Sequence, residues 1–183
     1  EFATNFGVKA YESLSDVLQD ETVDIVVVCS PNGTHYPISL QALEAGKHVL
    51  IEKPMTICKE HCEDLIRTAL DYNRALFVVK QNRFNPPVQA VKKLLLSKKL
   101  GQVYSVSINC FWNRNEAYYR QSDWKGTKSL DGGTLFTQYS HFIDIAYYLF
   151  GDFEVLQGVT KNANHVGLID FEDTGHFILR FKK

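Results

Sequence analysis

The chain has 183 residues, 45% of them hydrophobic, enough for one large domain or two small ones with buried cores. A formal net charge of −1 gives no electrostatic case for nucleic acid or an anionic membrane as a partner. No apolar run reaches the roughly 20 residues of a membrane span and no signal peptide opens the chain, while the scattered cysteines suit a reducing cytoplasm, where the protein is expected. Cys29, Cys58, Cys62 and Cys110 are scattered through apolar patterns and read as buried or idle thiols. Cys58 and Cys62 share a helix face that His61 does not, so packing rather than a metal site is expected there.

The first half alternates strand and helix signals. Residues 23–29 (VDIVVVC) predict a strand buried on both faces. After the turn Ser30-Pro31-Asn32-Gly33, Thr34 is placed to cap a helix that holds Pro37 early and ends at Gly46. His48–Ile51 predicts a second strand. Thr56 then caps a helix whose core positions are Cys58, Cys62, Leu65 and Ala69, and residues 75–80 give a third strand. Strand–helix–strand–helix–strand with short connections implies right-handed crossovers and a parallel sheet.

The second half differs. Pro86-Pro87 opens a helix with Val88, Val91, Leu94 and Leu95 on one side, ending near Gly101. Residues 102–112 alternate polar and apolar, as in a long strand with one covered face. A loop rich in aromatics and charges covers 113–131, and Gly132-Gly133 leads into an apolar helix that ends at Gly151. Residues 153–160 and 174–181 predict further strands. The expected organisation is therefore α/β. Residues 1–85 form a partial parallel sheet, and residues 86–183 form an α+β domain with an open, largely antiparallel sheet.

In open parallel sheets, ligands bind beyond the carboxyl ends of the strands. Three such ends carry polar groups: Ser30-Pro31-Asn32 with His35, Glu52-Lys53-Pro54, and Gln81-Asn82-Arg83. The proline after Lys53 restricts that residue's backbone and so aims its side chain. On the glycine-led helix, Thr137, Gln138, His141 and Asp144 share one face while Leu135, Phe142, Ala146 and Leu149 pack on another. A lysine and an imidazole facing one cleft suit alcohol oxidation, and Lys53 and His141 are expected to do so. Between them, Trp112, Tyr118, Tyr119 and Trp124 interleave with Arg114, Arg120, Lys125 and Lys128, a composition suited to a sugar or base and a diphosphate. Lys92, Lys93, Lys98 and Lys99 read as the solvated side of a helix.

Glu52-Lys53-Pro54 after a strand resembles the E-K-P signature of the Gfo/Idh/MocA oxidoreductases. The stretch GGTLFTQYSHFIDIAYYLFG, residues 132–151, resembles that family's glycine-led helix with its active-site histidine. FVVKQNRFNP and the Trp124–Thr127 turn are most similar to the branch acting on UDP-N-acetylglucosamine-type sugars in surface-polysaccharide pathways. The resemblance implies a Rossmann-type first domain and NAD or NADP as cofactor. Ser30, Pro31, Asn32, His35, Glu52, Lys53 and Pro54 would border the dinucleotide. It makes Lys53 and His141 the catalytic pair, with Lys53 bonded to the reacting hydroxyl and His141 the acid/base. Arg83, Trp124, Thr127, Thr137 and Gln138 would lie on the side of a sugar or UDP-sugar. Thr137 stands where many members carry aspartate, which leaves open whether His141 or Lys53 removes the proton.

The family's first strands, its G-x-G-x-x-G turn and the acidic residue after its second strand are not found. Residues 7–11 (GVKAY) read as a remnant of an earlier strand, Glu1-Phe2 as a cloning remnant, and Lys183 as a stop within an unfinished sheet. The resemblance thus implies a fragment cut at both ends, itself inactive, from an enzyme that forms homo-oligomers through its second-domain sheet. Two other readings stand beside it: a non-catalytic binding or assembly fragment, and a dehydrogenase of free sugars or inositol.

Overall fold

The computed structural model describes residues 2–182, so Glu1 and Lys183, on which the readings of a cloning remnant and an unfinished sheet partly rest, lie outside the described residues. The chain divides into two compact units. The first runs up to Ser30 and from Thr34 to Val78; the second comprises Pro31–Gly33 and everything from Val79.

In the first unit, α1 (Phe2–Phe6) and α2 (Leu14–Gln19) precede β1 (Ile25–Val28). Neither helix was expected, and residues 7–11 form no strand. A five-residue extended pattern has no stability of its own without a neighbouring strand to bond. α2 is fixed by a capping box, in which the Ser13 hydroxyl accepts the Asp16 N–H and the Asp16 carboxylate accepts the Ser13 N–H. Then follow α3 (His35–Glu44), β2 (His48–Ile51), α4 (Lys59–Asp71) and β3 (Leu76–Val78). The strands are parallel in the order β1-β2-β3.

Two caps differ from expectation. A 3-10 turn at Asn32–Thr34 runs straight into α3, so Thr34 has helical backbone angles and its hydroxyl bonds Ser30 instead of the helix. The N-cap of α4 is Cys58, and the Thr56 hydroxyl accepts the Cys58 N–H from just outside the helix. Gly46 does terminate α3. Its φ of +75° is a left-handed angle that a side chain resists, and the turn lets Lys47 N–H bond the Ala42 carbonyl.

The register sets the core. Rows Val26–Val49–Leu76 and Val28–Ile51–Val78 share the face that packs with Leu43 of α3 and with Leu65 and Ala69 of α4. The opposite row, Val27–Leu50–Phe77, is open, with Val27 56% and Phe77 59% exposed. β1 is therefore buried on one face and not on both as expected. A sheet that advances in one direction through like-handed crossovers places both connecting helices on the same side. The cysteines are free thiols, and none is buried: Cys29 is exposed and the others half-buried.

The second unit holds a 3-10 turn at Gln81–Phe84, α5 (Pro86–Leu96), α6 (Glu116–Tyr119), α7 (Tyr139–Phe150), and the antiparallel pair β4 (Phe153–Lys161) and β5 (Thr174–Phe181). Residues 102–112 form no ladder, contrary to the expected long strand, because among the described residues β4 and β5 bond only each other. α7 begins six residues after Gly133, later than predicted, and closes at Gly151. Tyr119, Ile169 and Phe171 form a small core of the second unit with Tyr118 and Leu168. Lys92 is not on the solvated side as expected, because its ammonium lies 4.7 Å from the Tyr148 ring centroid and bonds the Tyr148 carbonyl. Among the described residues, no helix is long and apolar enough to cross a membrane, and no group of three metal-ligating side chains occurs.

Candidate functional site

The carboxyl ends of β1 and β2 in the first unit meet around His35. This residue is 1% exposed, and its ring nitrogens sit against two backbone carbonyls, Nδ1 2.7 Å from Pro54 and Nε2 2.8 Å from Ser30. Because α3 starts at His35, the helix holds the imidazole between the two loops. The Ser30 hydroxyl accepts from Thr34 at 2.6 Å. Lys53 N–H donates to the Glu52 carboxylate at 3.0 Å, and the Lys53–Pro54 peptide is cis. Ser30, His35, Glu52, Lys53 and Pro54 are thus brought together. His35 is spent on backbone, which leaves Ser30, Glu52 and Lys53, all half-buried, as the groups a ligand could meet.

Pro31 and Asn32 belong to the second unit, where the Asn32 amide donates to the Asp131 carbonyl at 2.8 Å and Gly33 N–H to the Leu130 carbonyl at 2.8 Å. Gly33 must be glycine here, since a Cβ would lie 2.2 Å from the Ser129 carbonyl oxygen. The Asp131 carboxylate accepts Gly126 N–H at 2.9 Å.

In the same unit, His141 is 8% exposed on the first turn of α7. One turn on, Asp144 takes a bidentate pair from Arg83, with Nε to Oδ2 at 2.8 Å and Nη2 to Oδ1 at 2.6 Å. Arg83, expected on the substrate side, is therefore already neutralised by a carboxylate. Lys80 was not singled out from sequence. Burial lowers its pKa, and Arg83 adds to the effect while Asp144 opposes it. Its signal was available, a lysine closing an otherwise apolar strand.

Thr137 and Gln138 precede α7 and line a concavity with Trp112, Arg114, Tyr118 and Tyr139. Arg114 donates to the Gln138 side chain at 3.2 Å, and the Thr137 hydroxyl donates to the Gly133 carbonyl. Burial raises the pKa of Tyr139 and pushes Tyr119 up to about 12, with Asp131 adding to the latter. Trp124 and Thr127 lie outside that lining. The Thr127 hydroxyl closes their turn by donating to the Trp124 carbonyl at 2.7 Å. Lys53 belongs to the first unit and His141 to the second.

Residues 1–80 match the model described as oxidoreductase family, NAD-binding Rossmann fold, and residues 88–183 match the GFO/IDH/MocA C-terminal domain. The crystal structure of the WlbA dehydrogenase from Bordetella pertussis, in complex with NADH and UDP-GlcNAcA, is 34% identical with a TM-score of 0.93, over 99% of this chain and 52% of that one. A scyllo-inositol 2-dehydrogenase (NADP(+)) of Bacillus subtilis is 34% identical over 152 residues, 82% of this chain and 40% of that protein. A glucose-6-phosphate 3-dehydrogenase of Bacillus subtilis is 28% identical over 166 residues, 89% of this chain and 46% of that protein. The chain spans about half the length of the curated relatives it matches. A nicotinamide dinucleotide fits the chemistry of the β1–β2 rim. There a hydroxyl, a carboxylate and an ammonium stand on loops that His35 ties together.

Proposed function

Because the chain belongs to the Gfo/Idh/MocA family of NAD-binding oxidoreductases, we propose that it serves the oxidation of a hydroxyl on a sugar or sugar nucleotide. The observation that carries this reading is Lys53 at the carboxyl end of β2, its N–H held by Glu52 and its loop tied by His35. In the proposed mechanism, the Lys53 ammonium donates a hydrogen bond to the reacting hydroxyl oxygen and stabilises the alkoxide as it develops. His141, buried and therefore shielded from competing water, takes the hydroxyl proton as general base. A bound nicotinamide would supply the acceptor for the hydride. Thr137 offers no charge to orient the imidazole. Ser30, Pro31, Asn32, Glu52 and Pro54 would border the cofactor, and Gln138 with Thr137 the sugar.

The likeness to the WlbA dehydrogenase supports a UDP-sugar acid as the substrate, and the resemblance carried by FVVKQNRFNP and the Trp124–Thr127 turn supports a role in surface-polysaccharide synthesis. The scyllo-inositol dehydrogenase favours a second reading, an uncharged polyol. NAD reduction by the whole protein, supplied in turn with a UDP-sugar acid and with scyllo-inositol, separates the two. Reduction with the first alone is expected, and reduction with neither would reject the dehydrogenase reading. These 183 residues carry no G-x-G-x-x-G turn to cradle a pyrophosphate, so calorimetry of this chain with NAD is expected to show no micromolar binding. We further assign it to the cytoplasm and to a homo-oligomer built on the β4–β5 sheet.

A further inference from the structure

Arg114 and Lys125 lie over the same ring. The Arg114 guanidinium is 4.0 Å and the Lys125 ammonium 4.3 Å from the centroid of Tyr118. Arg114 is also 5.7 Å from the Trp112 ring. Neither cation is ion-paired with a carboxylate among the described residues, whereas Arg83 is neutralised by Asp144 and Arg120 by Glu116. Each instead makes a bond to a neutral amide, Arg114 to Gln138 at 3.2 Å and Lys125 to Gln121 at 2.9 Å. One of the five guanidinium N–H groups is spent in this way, leaving a fork able to take two oxygens.

The position is held from behind. The Arg114 carbonyl lies 2.6 Å from His165 Nε2, whose Nδ1 is 2.8 Å from Asp173. Two carboxylates, Asp131 and Asp173, line the same concavity, but both are engaged elsewhere. Asp173 accepts the N–H groups of Ala163 and Asn164, and Asp131 accepts that of Gly126. Arg114 and Lys125, both against the Tyr118 ring, are thus left to meet a ligand's oxygens, Arg114 beside Gln138 and Tyr139 at the entry to the His141 helix.

We propose that Arg114 and Lys125, braced on Tyr118, form the subsite for an anionic group of the substrate, a sugar carboxylate or a nucleotide phosphate. Both groups present paired oxygens to the guanidinium fork. The proposal rests on the dehydrogenase reading for the sugar but not for the charge.

The test titrates this chain with two matched pairs, glucuronate against glucose and UDP against uridine, followed by nuclear magnetic resonance at low ionic strength. The charged member of at least one pair is expected to bind about tenfold tighter or more, as charge-assisted hydrogen bonds imply. Preference in the first pair identifies a carboxylate and in the second a phosphate. Arg114→Gln should remove most of the preference, Lys125→Gln part of it, and Lys99→Ala, at an exposed residue outside the loop, none. Arg114→Lys, which keeps the charge but loses the fork, should fall between. Equal affinities within both pairs would overturn the proposal. So would a preference that survives both Arg114→Gln and Lys125→Gln. Charge preference without NAD reduction would sink the dehydrogenase reading and spare the subsite; reduction without charge preference would do the reverse.

Discussion

His35 shows how a single side chain can organise a rim through the backbone. Both ring nitrogens face carbonyls at the two strand ends, and the ring is almost completely buried. Replacement by alanine leaves a cavity and two carbonyls without their partner. His35→Ala should cost about 2–4 kcal/mol in denaturant unfolding. Asp173 is the matching anchor of the second unit. Burial acts to raise its pKa, but the N–H groups of Ala163 and Asn164, the His165 ring and the Thr174 hydroxyl outweigh burial and hold it well below the carboxylate range. A depressed folded-state pKa means stability that is present above the unfolded value near 4 and lost as pH falls through the folded one. Asp173→Asn should therefore be less stable than the parent by about 1–3 kcal/mol at pH 7, with the gap closing in strong acid, as thermal melts across pH would read. Lys53 was legible because Glu52, Lys53 and Pro54 are contiguous. The neutralisation of Arg83 was not, because its partner lies 61 residues away and only folding joins them.

At the scale of elements, local chemistry predicted what local chemistry controls. β1, β2 and β3 follow from short apolar runs, α3 from its terminal Gly46, and α4 from Leu65 and Ala69 at helical spacing. α2 was missed although Ser13 and Asp16 spell its capping box. The strand expected over 102–112 had the right alternation, but a ladder needs a second strand and alternation names none. Between elements, the Arg83–Asp144 pair fastens the 3-10 turn before α5 to α7. Arg83→Ala would leave the mostly buried Asp144 carboxylate without its counter-ion. It should lower stability by about 2–3 kcal/mol, less than a fully buried pair because the arginine is a third exposed. Double-mutant cycles with Asp144→Ala would isolate the pair.

For the molecule as a whole, the exposed apolar surface is the feature composition could not foretell. A two-stranded ribbon is marginal alone, yet β4 and β5 expose Val155, Val159 and Ile178. Self-association through this sheet should appear as concentration-dependent sedimentation, and Val159→Lys should shift it toward monomer. Lys53 and His141 were readable as candidates from sequence, one from a strand end and one from a polar stripe. Their shared chemistry is the central claim, and steady-state kinetics of the whole protein with its sugar substrate and NAD test it most directly. Lys53→Ala and His141→Ala should each lower kcat, the latter by about 10²–10⁴-fold, with little change in KM, because both act on charge and proton position that change in the transition state. Near-normal kcat in both variants would contradict it and make the two residues structural.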